Sequence, residues 1–379
     1  MASLYLHIPY CEKKCIYCDF YSIENMSSME EFLKSLEKEI SMNASQYSPQ
    51  DSFETIFFGG GTPSLLSPST LERILNALRS QYRIDSDAEI TVETNPGTVN
   101  IEKLRAYRSI GVNRLSIGIQ SFHADELEFL SRIHNADEAV KCVNNAHTAG
   151  FENINVDLIF SLPHQTPERW KENVLRAIAL EPHHISAYSL IVEEHTPLFT
   201  MVQNKTVAPM PEPDDAELYE STIGWMLQHG YRQYEVSNYA KPGFECRHNM
   251  NYWNHSNYLS FGPSAHSFWK ESPTKGIRWW NVRNITQYCG AIASGKLPHA
   301  GSEIVDKDKM LSEAVFLGLR MGELNVAMLQ QLYGVDLLAT RGEQLQSFSD
   351  EDLLRIKDHR ITLTRKGFLL CDGIAESLL

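Results

Sequence analysis

The chain has 379 residues, a formal net charge of −14, and 42% hydrophobic and 22% charged residues. These values are typical of a soluble globular protein with one large and one smaller domain, and no apolar run approaches the ~18 residues of a membrane span. The acidic balance argues against binding of nucleic acid duplexes, which needs clustered lysine and arginine.

The first predicted strand, Leu4–Ile8, is followed at once by three closely spaced cysteines, Cys11, Cys15 and Cys18. Their C-x₃-C-x₂-C spacing lets three thiolates hold three irons of a 4Fe–4S cluster and leaves the fourth iron open to a small molecule. Structural zinc normally needs four ligands, usually two pairs, and no second pair is present. A redox pair would leave Cys11 unexplained, and chance clustering in a loop is the remaining alternative.

The other four cysteines are scattered and are interpreted as ordinary buried thiols. The total of seven is odd, and no secretory signal precedes the first strand, so disulfides are not expected. Because thiolates that bind iron are sensitive to oxygen, and because no targeting segment is predicted, the expected location is the cytoplasm.

Strands alternate with helices in the first half of the chain, and each strand is a short apolar run that ends near a turn. The predicted strands are Leu4–Ile8, Thr55–Phe58, Ala88–Glu93, Asn113–Ile119, Asn153–Phe160 and His184–Ile191. The predicted helices are Met29–Met42, Pro68–Gln81, Asn100–Ser109, Ala136–Ala149 and Pro167–Ala179. This alternation predicts an α/β fold, an open six-unit (β/α)6 partial TIM barrel with functional residues at the carboxyl ends of its strands.

Glycines and polar residues lie at or just after these strand ends. Gly59–Thr62 could cradle a ligand with its N–H groups or form only a tight turn. Glu93 could pair with an ammonium group or be an exposed carboxylate, and Gln120 and Arg132 are unremarkable alone. Asp157 interrupts an apolar run, and a buried carboxylate needs hydrogen-bond partners such as ribose hydroxyls.

The alternation fades after residue 191. Pro209–Pro213 predicts a linker, followed by a helix at about Asp214–His229. Tyr234–Trp280, rich in aromatic residues, Asn, His and Gly, is predicted to be irregular and to line a site. Within it, His248 could be an axial haem ligand, a base or, as is more usual, a hydrogen-bonded structural residue.

The last part of the chain predicts a small winged-helix-like α+β domain. Its predicted elements are helices at Asp308–Met321, Val326–Tyr333 and Asp350–His359, a strand at Arg360–Thr364 and a helix at Arg365–Ala375. Acidic residues outnumber basic ones here, so a lid, docking or dimer module is favoured over DNA binding. The expected division is a core at 1–208, a barrel-completing irregular segment at 209–300 and the small domain at 301–379.

Several motifs in order resemble the radical S-adenosylmethionine (SAM) superfamily. They are the cysteine run after Tyr5-Leu6-His7-Ile8-Pro9, Gly59-Gly60-Gly61-Thr62-Pro63, Glu93, Gln120-Ser121-Phe122 and Asp157. The resemblance is strongest to the branch that holds oxygen-independent coproporphyrinogen III oxidase and the HemW-type haem chaperones. It implies a 4Fe–4S cluster on the three cysteines and SAM on its open iron.

The resemblance also implies which residues contact SAM. They are Tyr5, Gly60, Gly61, Thr62, Glu93, Gln120, Arg132 and Asp157, with Glu93 on the methionine amine and Asp157 suited to ribose. In the oxidase some of these residues contact a second SAM. Two further partners are considered. One is an electron donor such as a flavodoxin or ferredoxin, and the other is a second copy of the chain in a homodimer.

Three features distinguish the two members of this branch. The oxidase has a cysteine where this chain has Phe20, and it has a long N-terminal extension that is not expected here. Conversely, His248–Trp253 matches the HNxxYW pattern of the chaperones, in which the His is the expected haem contact. The resemblance therefore favours a chaperone that binds haem and transfers it to acceptor haemoproteins, without coproporphyrinogen oxidase activity. The oxidase is the alternative, and a radical enzyme that modifies RNA is a third reading.

Overall fold

The structure is a computed structural model that describes residues 2–47 and 52–379. Six parallel strands form its centre and lie side by side in chain order. They are β1 (Ala2–Ile8), β2 (Phe53–Gly60), β3 (Ile84–Thr94), β4 (Arg114–Gln120), β5 (Ile154–Phe160) and β6 (His184–Ser189). Five of the six begin and end within two residues of their predicted bounds, and β3 begins four residues earlier than predicted. The α/β architecture is confirmed.

These strands are connected by α1 (Met29–Tyr47), α2 (Pro68–Gln81), α3 (Ile101–Ser109), α4 (Ala124–Phe129), α5 (Ala136–Thr148) and α6 (Pro167–Ala179). After β6 come α7 (Pro197–Gln203) and α8 (Glu212–Gln228). The side chain of Asn100 accepts a hydrogen bond from the first turn of α3, as its position predicts. Pro68 and Pro167 occupy first-turn positions after the capping residues Ser67 and Thr166.

The two faces of the central strands differ in polarity. In β4, Leu115, Ile117 and Ile119 are fully buried in the core that contains the flanking helices. Arg114 and Ser116 alternate with them and therefore point to the opposite face, which we call the polar face. Parallel strands are usually apolar on both faces, so a polar face indicates a place where a polar ligand or a buried network is accommodated.

More strands continue the sheet on both sides. Beyond β1 lie β9 (Asn257–Phe261), β10 (His266–Ser272), β11 (Lys275–Asn281) and β12 (His299–Val305), and beyond β6 lie β8 (Asn238–Ala240) and β7 (Arg232–Gln233). The helices of this region are α9 (Arg247–Trp253) and α10 (Ile285–Ala293). The prediction that Tyr234–Trp280 is irregular is therefore wrong. β9 is parallel to β1, whereas β10, β11 and β12 are antiparallel to their neighbours.

The C-terminal part combines small helices with a three-stranded antiparallel sheet in the order β13-β15-β14. Its elements are α11 (Lys307–Arg320), β13 (Glu323–Asn325), α12 (Val326–Tyr333), α13 (Leu337–Thr340), α14 (Gly342–Asp350), β14 (Leu354–Lys357), β15 (Arg360–Leu363), α15 (Arg365–Leu369) and α16 (Cys371–Leu378). This arrangement of helices and a β-hairpin is the one expected of a winged-helix-like unit.

Two predictions for this part are wrong. Asp350–His359 is not a helix, because α14 ends at Asp350 and a turn leads into β14, whose hairpin turn places Asp358 and His359 at positive φ. The last helix is broken at Leu370 into α15 and α16. β12 crosses the proposed boundary at residue 300, and the division at residues 208 and 300 stays our proposal. No helix in the described ranges is both long and apolar enough to cross a membrane.

Candidate functional site

The three cysteines lie on a loop that begins at the carboxyl end of β1. Cys11 and Cys15 are buried and Cys18 is half-buried. The loop is closed at its ends because Cys11 N–H donates to the Ile23 carbonyl at 3.0 Å and Ile23 N–H donates to the Pro9 carbonyl at 2.7 Å. The sequence therefore places all three thiols in one compact, closed loop.

Two side chains from other elements reach these thiols. Thr62 Oγ1 lies 3.6 Å from Cys11 Sγ, and Arg132 Nη1 lies 3.4 Å from Cys15 Sγ. Burial raises the pKa of Cys11, and it raises the pKa of Cys18 to about 11. Thiols of this kind need a nearby positive charge, such as an iron ion or the Arg132 guanidinium, to ionise.

The donor set fits a cluster better than a single ion. Among the residues that the structure describes, no three His, Cys, Asp or Glu side chains are placed to hold one metal ion. A 4Fe–4S cluster does not require this, because each cysteine binds a different iron and the sulfurs stand further apart. Arg132 Nε is buried beside the loop and has no hydrogen-bond partner among the described residues, so a polar group is expected at this point.

The glycines after β2 pack against the cysteine loop. Gly61 N–H donates to the Ile8 carbonyl at 2.8 Å, and Thr62 N–H donates to the Tyr10 carbonyl at 2.7 Å. A Cβ atom at Gly61 would lie 2.6 Å from the Tyr10 carbonyl oxygen, and Gly60 has a φ of +108°. These residues must be glycine for reasons of backbone packing, and their N–H groups already have partners within the protein.

Glu93 lies near the carboxyl end of β3 and faces Gly60. Its Oε2 accepts the Gly60 N–H at 3.1 Å, and its Oε1 would lie 3.2 Å from a Cβ atom at Gly59. The Tyr5 ring also packs on Gly59, because its Cε2 would lie 2.9 Å from a Cβ atom there. Burial, with a further contribution from the charge of Asp157, raises the pKa of Glu93 to about 8. A protonated or ammonium-paired carboxyl group is therefore favoured at this position.

Arg132 connects the cysteine loop to the next two strands. Its Nη2 donates to Asn95 Oδ1 at 2.6 Å and to the Gly118 carbonyl at 2.8 Å. Gln120 is the last residue of β4, and its φ of +67° is unusual for a residue with a side chain. Its side-chain amide packs against Gly118. Strained backbone at a strand end is common at binding sites.

Asp157 belongs to a buried polar network. Its carboxylate accepts hydrogen bonds from Ser116 Oγ at 3.0 Å and from Asn155 Nδ2 at 2.7 Å. Asn155 in turn bonds Ser186 and His184 on β6. Burial raises the pKa of Asp157, and these donors oppose the shift. The carboxylate thus has partners in the protein and could still accept further hydroxyl donors.

His248 lies on α9, which packs on the polar face. It is 2% exposed, and its ring stacks on Phe57 at 4.9 Å. Its Nδ1 lies 2.7 Å from Thr55 Oγ1 and its Nε2 lies 3.2 Å from the Tyr252 hydroxyl. Both ring nitrogens therefore have partners, and burial lowers the pKa of His248 to about 3.

The structure thus brings most of the predicted residues together at the carboxyl ends of the strands, and it places His248 deeper, near Tyr5. Sequence reasoning missed several contributing residues, namely Thr55, Glu89, Asn95, Ser116, Asn155 and Tyr252. Glu89 accepts the N–H groups of Arg247 and His248 at 3.2 and 3.1 Å and so fixes the start of α9. Alternating polar residues in β4 and β5 were the available signal for this inward-facing network.

Comparison with known proteins defines the family. A model of the radical SAM superfamily matches residues 5–177, and a model of the HemN C-terminal domain matches residues 305–370. A Bacillus subtilis protein named heme chaperone HemW is 36% identical, in a match that covers 100% of this chain and 99% of that protein. The chain belongs to the HemW family of radical SAM proteins.

Two further matches agree with this family. A heme chaperone HemW from Lactococcus lactis is 34% identical over 100% of this chain and 97% of its own length. The structure of coproporphyrinogen III oxidase (HemN) from Escherichia coli has a TM-score of 0.85 and 24% identity, covering 100% of this chain and 89% of that one. The HemN match shows a shared fold and confirms the partial-barrel architecture, and membership of the superfamily implies a 4Fe–4S cluster and SAM.

Proposed function

We propose that this protein is a haem chaperone that carries a 4Fe–4S cluster and SAM and transfers haem to acceptor haemoproteins. The observation that carries the proposal is the full-length likeness to relatives named heme chaperone HemW, at 33–36% identity. The HNxxYW motif at His248–Trp253 supports it, because α9 carries a buried histidine and half-buried aromatic residues beside the polar face.

The cluster and SAM fit the residues at the strand ends. Cys11, Cys15 and Cys18 supply the three thiolates. When bound, the cluster supplies an open iron and one-electron chemistry. In this proposal Glu93 holds the ammonium group of SAM and Asp157 accepts hydrogen bonds from its ribose hydroxyls, supported by the position of Glu93 against Gly60 and of Asp157 among buried polar groups.

The other residues that the proposal assigns to the SAM site lie around the cysteine loop. Gly60, Gly61 and Thr62 shape the wall behind the cysteine loop, and Gln120 and Arg132 form its other side. An electron donor such as a flavodoxin or ferredoxin, a homodimer and a cytoplasmic location are part of the proposal.

The test is anaerobic reconstitution of the cluster followed by titration with haem, with and without SAM. We expect near-stoichiometric binding seen as a shift in haem absorbance, and transfer of the bound haem to an apo-haemoprotein. Absence of any absorbance change would rule out the chaperone function. A triple Cys→Ala variant of the loop is the control for the cluster and should retain no iron–sulfur absorbance.

The oxidase is a second candidate because the HemN structure has the same fold. It would convert two propionate groups of coproporphyrinogen III to vinyl groups with loss of carbon dioxide. The reconstituted protein is incubated with this substrate, a reductant and SAM under anaerobic conditions. Formation of protoporphyrinogen would favour the oxidase over the chaperone, and its absence together with haem binding would support the chaperone.

A further inference from the structure

Asp157 differs from the rest of its strand because every other residue of β5 is fully buried and it is not. Its carboxylate already accepts hydrogen bonds from Ser116 Oγ at 3.0 Å and from Asn155 Nδ2 at 2.7 Å. Each carboxylate oxygen has two lone pairs, so each can accept a further hydrogen bond on its open side. The protein groups behind the carboxylate therefore decide where its free lone pairs point.

The amide of Asn155 holds both oxygens of this carboxylate. Its Nδ2 donates directly to Asp157 Oδ1, and it also donates at 2.8 Å to Ser116 Oγ, which in turn donates to Asp157 Oδ2. Asn155 is 2% exposed, so bulk water does not satisfy its amide. A reversed amide would turn Oδ1 toward the carboxylate and bring two acceptors together. The arrangement thus depends on a donor that holds Oδ1 on the opposite side.

His184 of β6 is the closest such donor. Its Nδ1 lies 2.6 Å from Asn155 Oδ1, and its Nε2 lies 2.8 Å from the Tyr234 hydroxyl. The ring is completely buried, and burial, followed by the charge of Arg114, lowers the pKa of His184 well below its ordinary value. The ring is therefore neutral and has one N–H. Because an amide oxygen only accepts, the proton lies on Nδ1, and Nε2 accepts the Tyr234 O–H.

The hydrogen bonds therefore form a chain with one direction. The backbone N–H of Cys246 points to the Tyr234 oxygen at 3.4 Å, and Tyr234 O–H donates to His184. His184 Nδ1–H then donates to Asn155, and Asn155 Nδ2–H donates to Asp157. Reversing one member would leave two donors or two acceptors facing each other in a buried place, which is costly.

We propose that His184 is a positioning residue for SAM. It holds the Asn155 amide so that Asp157 presents its free lone pairs to the ribose hydroxyls, and it thereby makes the site prefer SAM over analogues that lack one of these hydroxyls. This inference rests on the function proposed above, in which Asp157 accepts the ribose hydroxyls. His184 acts only through Asn155.

A fixed acceptor discriminates between ligands because it is left unpaired when the ligand has no hydroxyl at that place. Without the His184 Nδ1–H, Asn155 Oδ1 loses its closest donor and the amide is free to turn. Asp157 then loses the donor that fixes its oxygens, and its hydrogen bonds to the ribose weaken. The affinity for SAM falls, whereas the affinity for an analogue without the hydroxyl changes less.

The experiment uses the full-length protein with its cluster reconstituted under anaerobic conditions. Isothermal titration calorimetry measures the affinities for SAM and for its 2′-deoxy and 3′-deoxy analogues. The quantity of interest is the ratio of each analogue's Kd to the Kd of SAM. For at least one analogue the wild-type ratio should be about tenfold or more, and Asp157→Ala should bring it close to one.

Two substitutions of His184 test its role. His184→Leu removes the Nδ1–H and should lower the ratio toward one. His184→Asn should restore most of the ratio, because its amide N–H can donate from near the place of Nδ1. A role limited to holding the strands together would weaken binding of SAM and of the analogues in parallel, and the ratio would stay the same.

A matched control removes a histidine hydrogen bond elsewhere. His147 of α5 bonds the Leu180 carbonyl through Nε2 at 3.0 Å, and His147→Leu should leave the ratio unchanged. Thermal unfolding reports whether each variant is folded. If His184→Leu folds poorly, Tyr234→Phe replaces it, since it removes the O–H that fixes the His184 tautomer. Its ratio should also fall, by a smaller factor.

The outcomes separate this inference from the proposed function. If Asp157→Ala loses the ratio but folded His184→Leu, or Tyr234→Phe in its place, keeps the wild-type value, the role of His184 is overturned and the proposed function stands. A wild-type ratio near one, or a ratio unchanged in Asp157→Ala, would overturn the ribose contact of Asp157 and this inference with it. Reconstituted wild-type protein that binds no SAM would contradict the proposed function itself.

Discussion

Glu93 and Asp157 are two carboxyl groups on the polar face whose ionisation is coupled. Burial raises the pKa of each, and the charge of Asp157 contributes to the shift of Glu93 to about 8. Near neutral pH the Glu93 carboxyl is therefore mostly protonated. It must lose this proton before it can pair with an ammonium group, so binding of an amino acid group is linked to proton release.

This linkage predicts how SAM affinity depends on pH. Because the proton leaves on binding, the affinity that depends on Glu93 should rise as the pH increases toward about 8 and then level off. The measurement is the ratio of the SAM affinities of wild type and Glu93→Gln across this range. A ratio that is independent of pH would contradict the assigned role of Glu93.

For single residues, the sequence predicted where a site residue lies along its strand better than it predicted which groups that residue contacts. Asp157 was recognised because a carboxylate interrupts an apolar strand, and its network of donors accounts for this. The glycine run with Gly61 and Thr62 was predicted either to cradle a ligand or to form only a tight turn, and their N–H groups pair with the carbonyl groups of Ile8 and Tyr10. Such a pairing between residues some fifty positions apart leaves no local signal in the sequence.

Among the elements, α1 is fixed by one buried carboxyl group. Glu39 accepts the Gly262 N–H at 2.8 Å, the Asn281 side-chain amide at 2.6 Å and the Tyr288 hydroxyl at 2.6 Å. Gly262 directly follows β9, Asn281 is the last residue of β11 and Tyr288 lies in α10. Burial raises the pKa of Glu39 to about 7 even though the three donors oppose the shift.

The shift predicts a pH-dependent contribution of Glu39 to stability. Its pKa in the folded protein is about 7, above the ordinary 4.5, so the folded state binds the proton more tightly than the unfolded state. The contribution is complete below 4.5 and is lost as the pH rises through about 7. The upper bound is on the order of a few kcal/mol.

The measurement is the free energy of unfolding of wild type and Glu39→Gln in urea at a series of pH values. The difference between wild type and variant should decrease as the pH rises through this interval. The contributions of Glu93 and Glu235, whose pKa values are also raised, cancel in the difference. A difference that stays constant would show that Glu39 does not titrate in this range.

Local sequence patterns predicted the elements of the first half well, and in the second half they also predicted α8, α11, α12 and β15, but they missed the added strands β7–β12 and the hairpin strand β14. The parallel units repeat an apolar strand, a turn and a capped helix, and each part has a local signal. β10 and β11 carry Trp, His and Lys residues. β10 pairs with β9, which lies beside β1, and β11 pairs with β10, so the position of both strands in the sheet depends on contacts across the chain. The break at Leu370 also lacks a proline or glycine at that position to mark it.

Across the whole molecule, the C-terminal part is joined to the large sheet by a shared core and by ion pairs. Phe268 of β10 belongs to the same apolar cluster as Leu319 and Leu329. Arg278 of β11 donates to Glu303 of β12 and to Glu313 of α11, each at 2.8 Å. These contacts hold α11 against β10 and β11.

Arg278→Gln should therefore loosen this junction. Among the described residues, it leaves Glu313, at 27% side-chain exposure, with His255 as its remaining ion-pair or hydrogen-bond partner, so we expect a loss of about 1–3 kcal/mol in the free energy of unfolding. Thermal and urea unfolding measure this loss. Lys309→Gln removes a more exposed ion pair with Glu303 and should cost about 0–1 kcal/mol. Equal effects of the two substitutions would argue against a special role for Arg278.

The closed cysteine loop has a consequence for how a cluster is acquired. Hydrogen bonds between Pro9, Cys11 and Ile23 already fix both ends of the loop, and Thr62 and Arg132 already touch two of its sulfurs. Much of the conformational entropy that a free loop would lose on binding has thus been lost during folding. The loop is thus a preorganised binding site, so more of the free energy of forming the iron–sulfur bonds remains available as affinity for the cluster.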